Sequence, residues 1–334
     1  MEKTIKVIIN KCAIPMIWLD TSVLINMTRY RLGKASNSAK LKRESELFDI
    51  ILQKVKERKL LCPQGDQQEE LTRPVREFQS IQSMLSRGIH FRHRSEIKEA
   101  QMHIAMEAYI KKSREITINC QEALAPDLLQ NLHTPQRFVI DAYSNKSIRL
   151  LERERKKKQQ HLNALVQLKK IRQEANVSFE EQYETELTGD YQAVCSILNS
   201  WKDILAKQQL PTEDLVNQTH YLDELVYLWD SLEGSPEGIG GLLQFLQSNE
   251  WRVTPYNDVS AYLYAKLISK DGTVKSGDPM DICQLIVALV YCNYVICDKS
   301  MRNLIKELGL DKKNKVKVFS IADVEEIISE LTAL

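Results

Sequence analysis

The sequence contains no C-x-x-C pair: its seven cysteines stand apart at positions 12, 62, 120, 195, 283, 292 and 297. An odd, scattered set of this kind excludes a disulfide framework or a cysteine-clamped zinc module and leaves reduced core thiols as the expectation. His90, His93 and His103 likewise lack the Cys or Glu partners of a zinc motif. No apolar run approaches the roughly 18 residues needed to span a bilayer. Lysines occur at positions 3, 6 and 11, but Asn10 and then an acid interrupt the apolar stretches. This is unlike a secretory signal, and a cytoplasmic protein with no membrane contact is expected. No repeat of fixed period is present, which excludes a solenoid. The formal net charge is +1, so any attraction to nucleic acid must come from local patches.

At 334 residues, 43% hydrophobic and 27% charged, the chain is long enough for about two domains and apolar enough to bury a core. Its two ends read as α/β. Val7 to Ile9 and Ile14 to Leu19 are short apolar runs, Lys40 to Arg58 is an amphipathic helix, and Leu60-Leu61-Cys62-Pro63 reads as a buried strand closed by proline. From Trp251 onward, helical patterns alternate with strands at Tyr294 to Cys297 and Val316 to Ser320, and a helix over Ala322 to Leu331 follows. Such alternation implies a parallel sheet flanked by helices. Between about Arg76 and Asn249 the apolar spacing is helical throughout, with breaks at Gly189 and at prolines 126, 135, 211 and 236. The expected organisation is therefore an α/β domain in two parts, residues 1–75 and 251–334, interrupted by a mainly α-helical insertion over residues 76–250.

Within the insertion, Lys146 to Arg172 carries ten Lys or Arg against two Glu, with Arg153, Arg155, Lys156, Lys157 and Lys158 nearly contiguous. Two readings fit: a solvated stretch of a long helix, or a nucleic-acid-binding surface that contacts phosphates. Glutamates at 180, 181, 184 and 186 offer it intramolecular partners as a further alternative. Gly238-Ile239-Gly240-Gly241 reads as a glycine turn before a helix at Leu242 rather than a phosphate nest. Trp201, Tyr221, Tyr227 and Trp229 are expected in a core or at an interface.

Asp20, Glu70, Asp281 and Asp298 all sit where a strand ends or a helix begins. Singly, each has the ordinary role of a carboxylate that caps free N–H groups and meets the positive end of a helix. Together they exceed what capping needs. In a parallel sheet the carboxyl ends of the strands gather on one edge, where open α/β folds bind ligands. Two carboxylates about 4 Å apart repel by roughly 4 kcal/mol at an effective dielectric of 20. A cluster therefore calls for a cation or raised pKa values. With no thiolate or imidazole nearby, hard oxygen ligands point to Mg²⁺ or Mn²⁺.

The strand-Asp20-Thr21-Ser22 opening, the Pro63 segment leading to Glu70, the helix start Gly277-Asp278-Pro279-Met280-Asp281-Ile282, and Tyr291 to Lys299 with Asp298 near its end together resemble a PIN domain. The resemblance covers about residues 5–75 and 251–331. It implies that Asp20, Glu70, Asp281 and Asp298 are metal ligands in that order. Asp66 and Glu69 compete with Glu70, and Asp278 competes with Asp281. Cys297 stands where many members of the family have Thr or Ser. Thr21 and Ser22 are expected to hydrogen-bond a ligand carboxylate or a bound water rather than attack phosphorus.

What the resemblance implies is a Mg²⁺- or Mn²⁺-dependent endoribonuclease that hydrolyses phosphodiesters in single-stranded RNA and leaves a 5′-phosphate and a 3′-hydroxyl. The helical insertion would select substrate or bind an inhibitory or regulatory protein, and a toxin or phage-defence role would suit such control. The alternatives are a catalytically silent PIN-like module that binds RNA or protein, and a DNA-cleaving relative.

Overall fold

The computed structural model describes residues 4–32, 39–65, 67, 76–125, 148–236 and 238–334. In chain order it begins with β1 (Lys6–Asn10), β2 (Ile17–Leu19), α1 (Thr21–Arg31), α2 (Ala39–Lys56), α3 (Arg76–Ser86), α4 (Arg94–Ile110), β3 (Glu115–Asn119) and α5 (Ile148–Glu174). There follow α6 (Phe179–Leu187), α7 (Gly189–Lys207), α8 (Glu213–Asp230), α9 (Gly238–Leu246), α10 (Asn249–Arg252) and α11 (Pro255–Ser269). The last part holds α12 (Asp278–Tyr291), β4 (Tyr294–Cys297), α13 (Lys299–Glu307), α14 (Leu310–Lys313), β5 (Lys317–Ser320) and α15 (Val324–Thr332). The fold is mixed α/β and mainly helical. Among the described residues no helix is long and apolar enough to cross a membrane.

The chain divides into two compact units. A sheet unit comprises Ile9–Ile97, Asn119–Arg172 and Asp271–Leu334, and a helical unit comprises Met1–Ile8, Lys98–Ile118 and Gln173–Lys270. This division departs from boundaries at 75 and 250 for packing reasons. Phe78, Ile81 and Leu85 of α3 enter the core of the sheet unit. Residues of α11 instead join the helical unit, where Tyr183 Oη donates to Asp258 at 2.8 Å and Asn257 donates to the Leu187 carbonyl at 3.2 Å.

In the sheet unit, β2, β4 and β5 form a parallel sheet in the order β2-β4-β5. Leu19 lies opposite Ile296, and Ile296 opposite Phe319. Alternation along each strand sends successive side chains to opposite faces. Ile17, Leu19, Tyr294, Ile296 and Phe319 share one face and pack with Val23, Leu24 and Met27 of α1, Leu47, Phe48 and Ile51 of α2, and Val324, Ile327 and Leu331 of α15. Their spacing of three and four along each helix is what builds those apolar stripes. Trp18 points to the other face, beside Cys283, Gln284 and Val287 of α12.

Single-residue parallel bridges extend the sheet past β2, from Met16 to Leu61 and from Gln64 to His90. The Leu60 to Pro63 run thus lies beside β2 without forming a regular strand, because Pro63 brings no N–H to the ladder. The lateral order is 89–91, 60–64, β2, β4, β5. From β2 the chain places its next two extended segments on one side and β4 and β5 on the other, so the order reverses between β2 and β4. Residues 76–249, read as mainly helical, also contain β3, whose Ile116 and Ile118 are buried. Its five residues alternate with period two, too briefly to stand out among long helices.

The helical unit has an aromatic centre in which Trp229 lies against Tyr109 and Phe245, and Phe245 against Trp251. The glycine run at 238–241 is the start of α9 rather than a turn before it. A Cβ at Gly241 would stand 2.7 Å from the Pro236 carbonyl oxygen and 3.0 Å from Trp229 Nε1. Close approach of neighbouring backbone is what requires glycine there.

Candidate functional site

Asp20 ends β2 and Asp298 ends β4, the two neighbouring strands between which the order reverses. The Asp20 N–H donates to the Ile296 carbonyl at 2.9 Å, which carries the ladder right up to the acid. Both acids are N-caps with extended backbone, Asp20 for α1 and Asp298 for α13. At Asp20 the Ser22 N–H donates to Oδ2 at 3.2 Å, and the Ser22 hydroxyl donates to the same oxygen. At Asp298 the N–H groups of Ser300 and Met301 donate to Oδ1 at 2.6 and 3.2 Å. Capping and convergence on one edge therefore coexist.

Asp20 is 7% exposed, and Asp298 is half-buried. Burial pushes the Asp20 carboxyl above its ordinary range, and the charge of Asp298 pushes in the same direction, against the opposing hydrogen bonds from Ser22. The third acid on this edge is Asp281, in the first turn of α12, with a carboxylate oxygen 3.6 Å from the position of a Cβ at Gly277. Cys297, 2% exposed, registers all three: burial first, then the charges of Asp20, Asp298 and Asp281, push its thiol far up. It stays protonated, and its Sγ donates to the Phe319 carbonyl at 3.8 Å.

Asp278 is turned elsewhere. It is buried, with Oδ2 accepting from the Lys275 N–H at 2.9 Å, which ties it into the loop before α12. The N-cap of α12 is Gly277 rather than Asp278. Of the two hydroxyl residues, Ser22 holds Asp20, whereas Thr21 is 3% exposed and its Oγ1 has no hydrogen-bond partner among the described residues. Asp66, Glu69 and Glu70 lie outside the described residues. Gln67 donates to the Leu19 carbonyl at 3.2 Å and accepts from Gln82 and from the Gly65 N–H, so its own side chain lies beside the end of β2. Among the described residues no three His, Cys, Asp or Glu side chains close into a group ready to hold a metal ion.

Sequence reasoning passed over Asp323 and Arg302. Asp323 follows β5, on the same edge, and its Oδ2 accepts from the Ser320 N–H and hydroxyl at 2.7 and 2.9 Å. Arg302 of α13 lies 3.1 Å from that oxygen. Although burial opposes it, the Ser320 hydrogen bonds and the guanidinium hold Asp323 below the ordinary carboxylate range. Ser320 and Asp323 form a capping box, and the only sequence signal was that S-x-x-D spacing.

A small pocket opens close by along the chain, lined by Trp18, Gly65, Phe91, Arg92, Arg94 and Cys283, together with Gln284 and Val287. Trp18 is two residues before Asp20, and Cys283 is two after Asp281. Arg92 Nε donates to the Leu124 carbonyl at 3.0 Å, which orients its guanidinium. Of the basic run, Lys156 is exposed on α5, while the side chains of Arg153, Arg155, Lys157 and Lys158 lie outside the described residues. Two of the glutamates offered as partners are engaged within the helical unit: Glu184 pairs with Arg252, and Glu181 closes a capping box with Ser178.

No family model matches the chain, and no curated protein or solved structure matches it either.

Proposed function

We propose that this protein is a metal-dependent endoribonuclease in which Asp20, Asp281 and Asp298 hold Mg²⁺ or Mn²⁺ at the edge of a PIN-like sheet. The observation that carries the reading is the meeting of Asp20 and Asp298 at the carboxyl ends of adjacent parallel strands where the strand order reverses, the crevice in which open α/β folds bind ligands. The donor set fits a hard cation. It consists of carboxylate oxygens, with the Thr21 hydroxyl, unpartnered among the described residues, beside them, and the nearby Cys297 thiol is kept neutral and turned to the sheet. A bound divalent ion would lower the pKa of water and stabilise charge on the departing 3′ oxygen.

The chain's own groups do the rest. Ser22 orients Asp20 and the first turn of α13 orients Asp298, in each case through two bonds to a single oxygen of that carboxylate. Arg92 and Arg94 provide the positive charge that a neighbouring phosphate of the strand would meet.

Thermal unfolding during a Mn²⁺ titration tests the reading. A ligand that binds only the folded state stabilises it according to occupancy. The Tm should therefore climb with metal in the wild type and stay level in Asp298→Asn. A level curve in the wild type would favour a catalytically silent module and overturn the proposal.

A further inference from the structure

The two-stranded sheet β1-β3 brings together a pair of cysteines that the proposed nuclease chemistry does not use. The strands run in the same direction. The Lys6 N–H donates to the Arg114 carbonyl at 2.9 Å, and four residues later the Asn10 side chain donates to that of Asn119 at 2.9 Å. Cys12 lies two residues past the end of β1 and Cys120 directly after the end of β3, so the paired strands lead both cysteines into one neighbourhood. The Cys12 and Cys120 thiols are near enough to shift each other's titration. Neighbouring strands lie about 4.8 Å apart, within the Cα separations that disulfides use.

The two thiols differ in the way an attacking and a resolving cysteine differ. Cys12 is half-buried and therefore reachable, whereas Cys120 is 4% exposed at the start of a tight turn. The neighbouring Cys120, aided by the backbone of Ala13 and Ile14 against the effect of burial, holds the Cys12 thiol well below the ordinary thiol range. Its partner is pushed far up. Cys62, Cys292 and Cys297 are buried thiols pushed upward by burial, to about 12 for Cys62. A lowered pKa with access is the environment of a reactive thiol, and burial in apolar surroundings that of an inert one.

We infer that Cys12 and Cys120 are a thiol–disulfide exchange site that takes small-molecule disulfides such as oxidised glutathione and closes into an internal Cys12–Cys120 disulfide. The Cys12 thiolate attacks one sulfur of the small disulfide, forming a mixed disulfide and expelling one thiolate. Cys120 then gives its proton to solvent and its sulfur attacks Cys12 Sγ, expelling the second thiolate. Two protein thiols are oxidised, and one small disulfide is reduced to two thiols.

The bond would fix residues 10–16, which hold the amino-terminal edge of the main sheet. Lys11 Nζ donates to the carbonyls of Cys292 and Lys315 at 2.5 and 3.0 Å, and the Met16 carbonyl accepts from the Asn293 and Tyr294 N–H groups. That edge is opposite the acidic one.

Incubating the full chain with oxidised glutathione at neutral pH, followed by thiol counting and peptide mapping, tests the inference. Free thiols should fall by two from seven, a Cys12–Cys120 cross-linked peptide should appear, and the Tm should rise by about 5 °C. In Cys120→Ser, one glutathione should accumulate on Cys12. In Cys12→Ser, Cys120 should remain unmodified. Seven thiols retained, a cross-link between any other pair, or equal loss of thiols in Cys12→Ser would overturn it. Mapping of the wild type decides the matter even where a variant fails to fold.

Discussion

Asp20 is costly to the fold that carries it. Its folded pKa is raised above the unfolded value, so between the two values the folded state holds the extra proton and stability falls as the pH rises. Once ionised, the carboxylate works against the metal-free fold. Asp20→Asn keeps a side-chain oxygen for the Ser22 N–H and removes the charge, so its Tm in EDTA should exceed that of the wild type while its response to Mn²⁺ disappears. A lower Tm in EDTA would contradict the electrostatic account. Cys12 gives a second residue-scale expectation. Between pH 7 and 9 an ordinary thiol gains roughly twenty-fold in thiolate and in alkylation rate, but the Cys12 rate should change less than about threefold, because it is already ionised. Asp20 and Asp298 were legible because each ends an apolar run and opens a helical one. Asp281 could not be separated from Asp278 until the Lys275 N–H was seen to claim the latter. Asp323 reads as an ordinary cap until Arg302, brought by another element, lies beside it.

At the scale of elements, the N-caps separate two roles of one carboxylate. Asp298→Asn retains an oxygen for the Ser300 and Met301 N–H groups, whereas Asp298→Ala loses the cap of α13 at about 1 kcal/mol. Both should be equally inactive, and only the alanine variant should show a lowered urea midpoint. Gly241→Ala belongs to the same scale. Its Cβ would stand 2.9 Å from Pro236 Cβ as well as against the Pro236 carbonyl, so overpacking should cost about 1–3 kcal/mol in urea unfolding. The glycine was visible in the sequence, but its need was not, because it arises from backbone that folds back against α9. Periodicity revealed α1, α2, β4, β5 and α15 for the opposite reason: their buried stripes are local patterns. The apolar 60–63 run was also legible, whereas the 89–91 segment, held by a single bridge to Gln64, left no such pattern.

Across the whole molecule the chain passes between the two units at 8/9, 97/98, 118/119, 172/173 and 270/271, so neither unit is one continuous stretch of sequence. Composition cannot reveal boundaries set by contacts between distant segments, which is why a single long insertion was the simpler reading. With a net charge of +1, the proposed RNA binding would have to rest on local cations. Replacing Arg92 and Arg94 together with Gln should lower the slope of log affinity against log salt by about 1.4 for a single strand, at about 0.7 per phosphate contact. The central claim is that the acidic edge cleaves RNA, and its most direct test is end-labelled single-stranded RNA incubated with Mn²⁺ and the wild type, Asp20→Asn or Asp298→Asn, each verified as folded. The account predicts products with 5′-phosphates from the wild type, none in EDTA, and at least a hundredfold less from either variant. Cleavage that is undiminished in both variants, or none by the wild type on RNA, would contradict it.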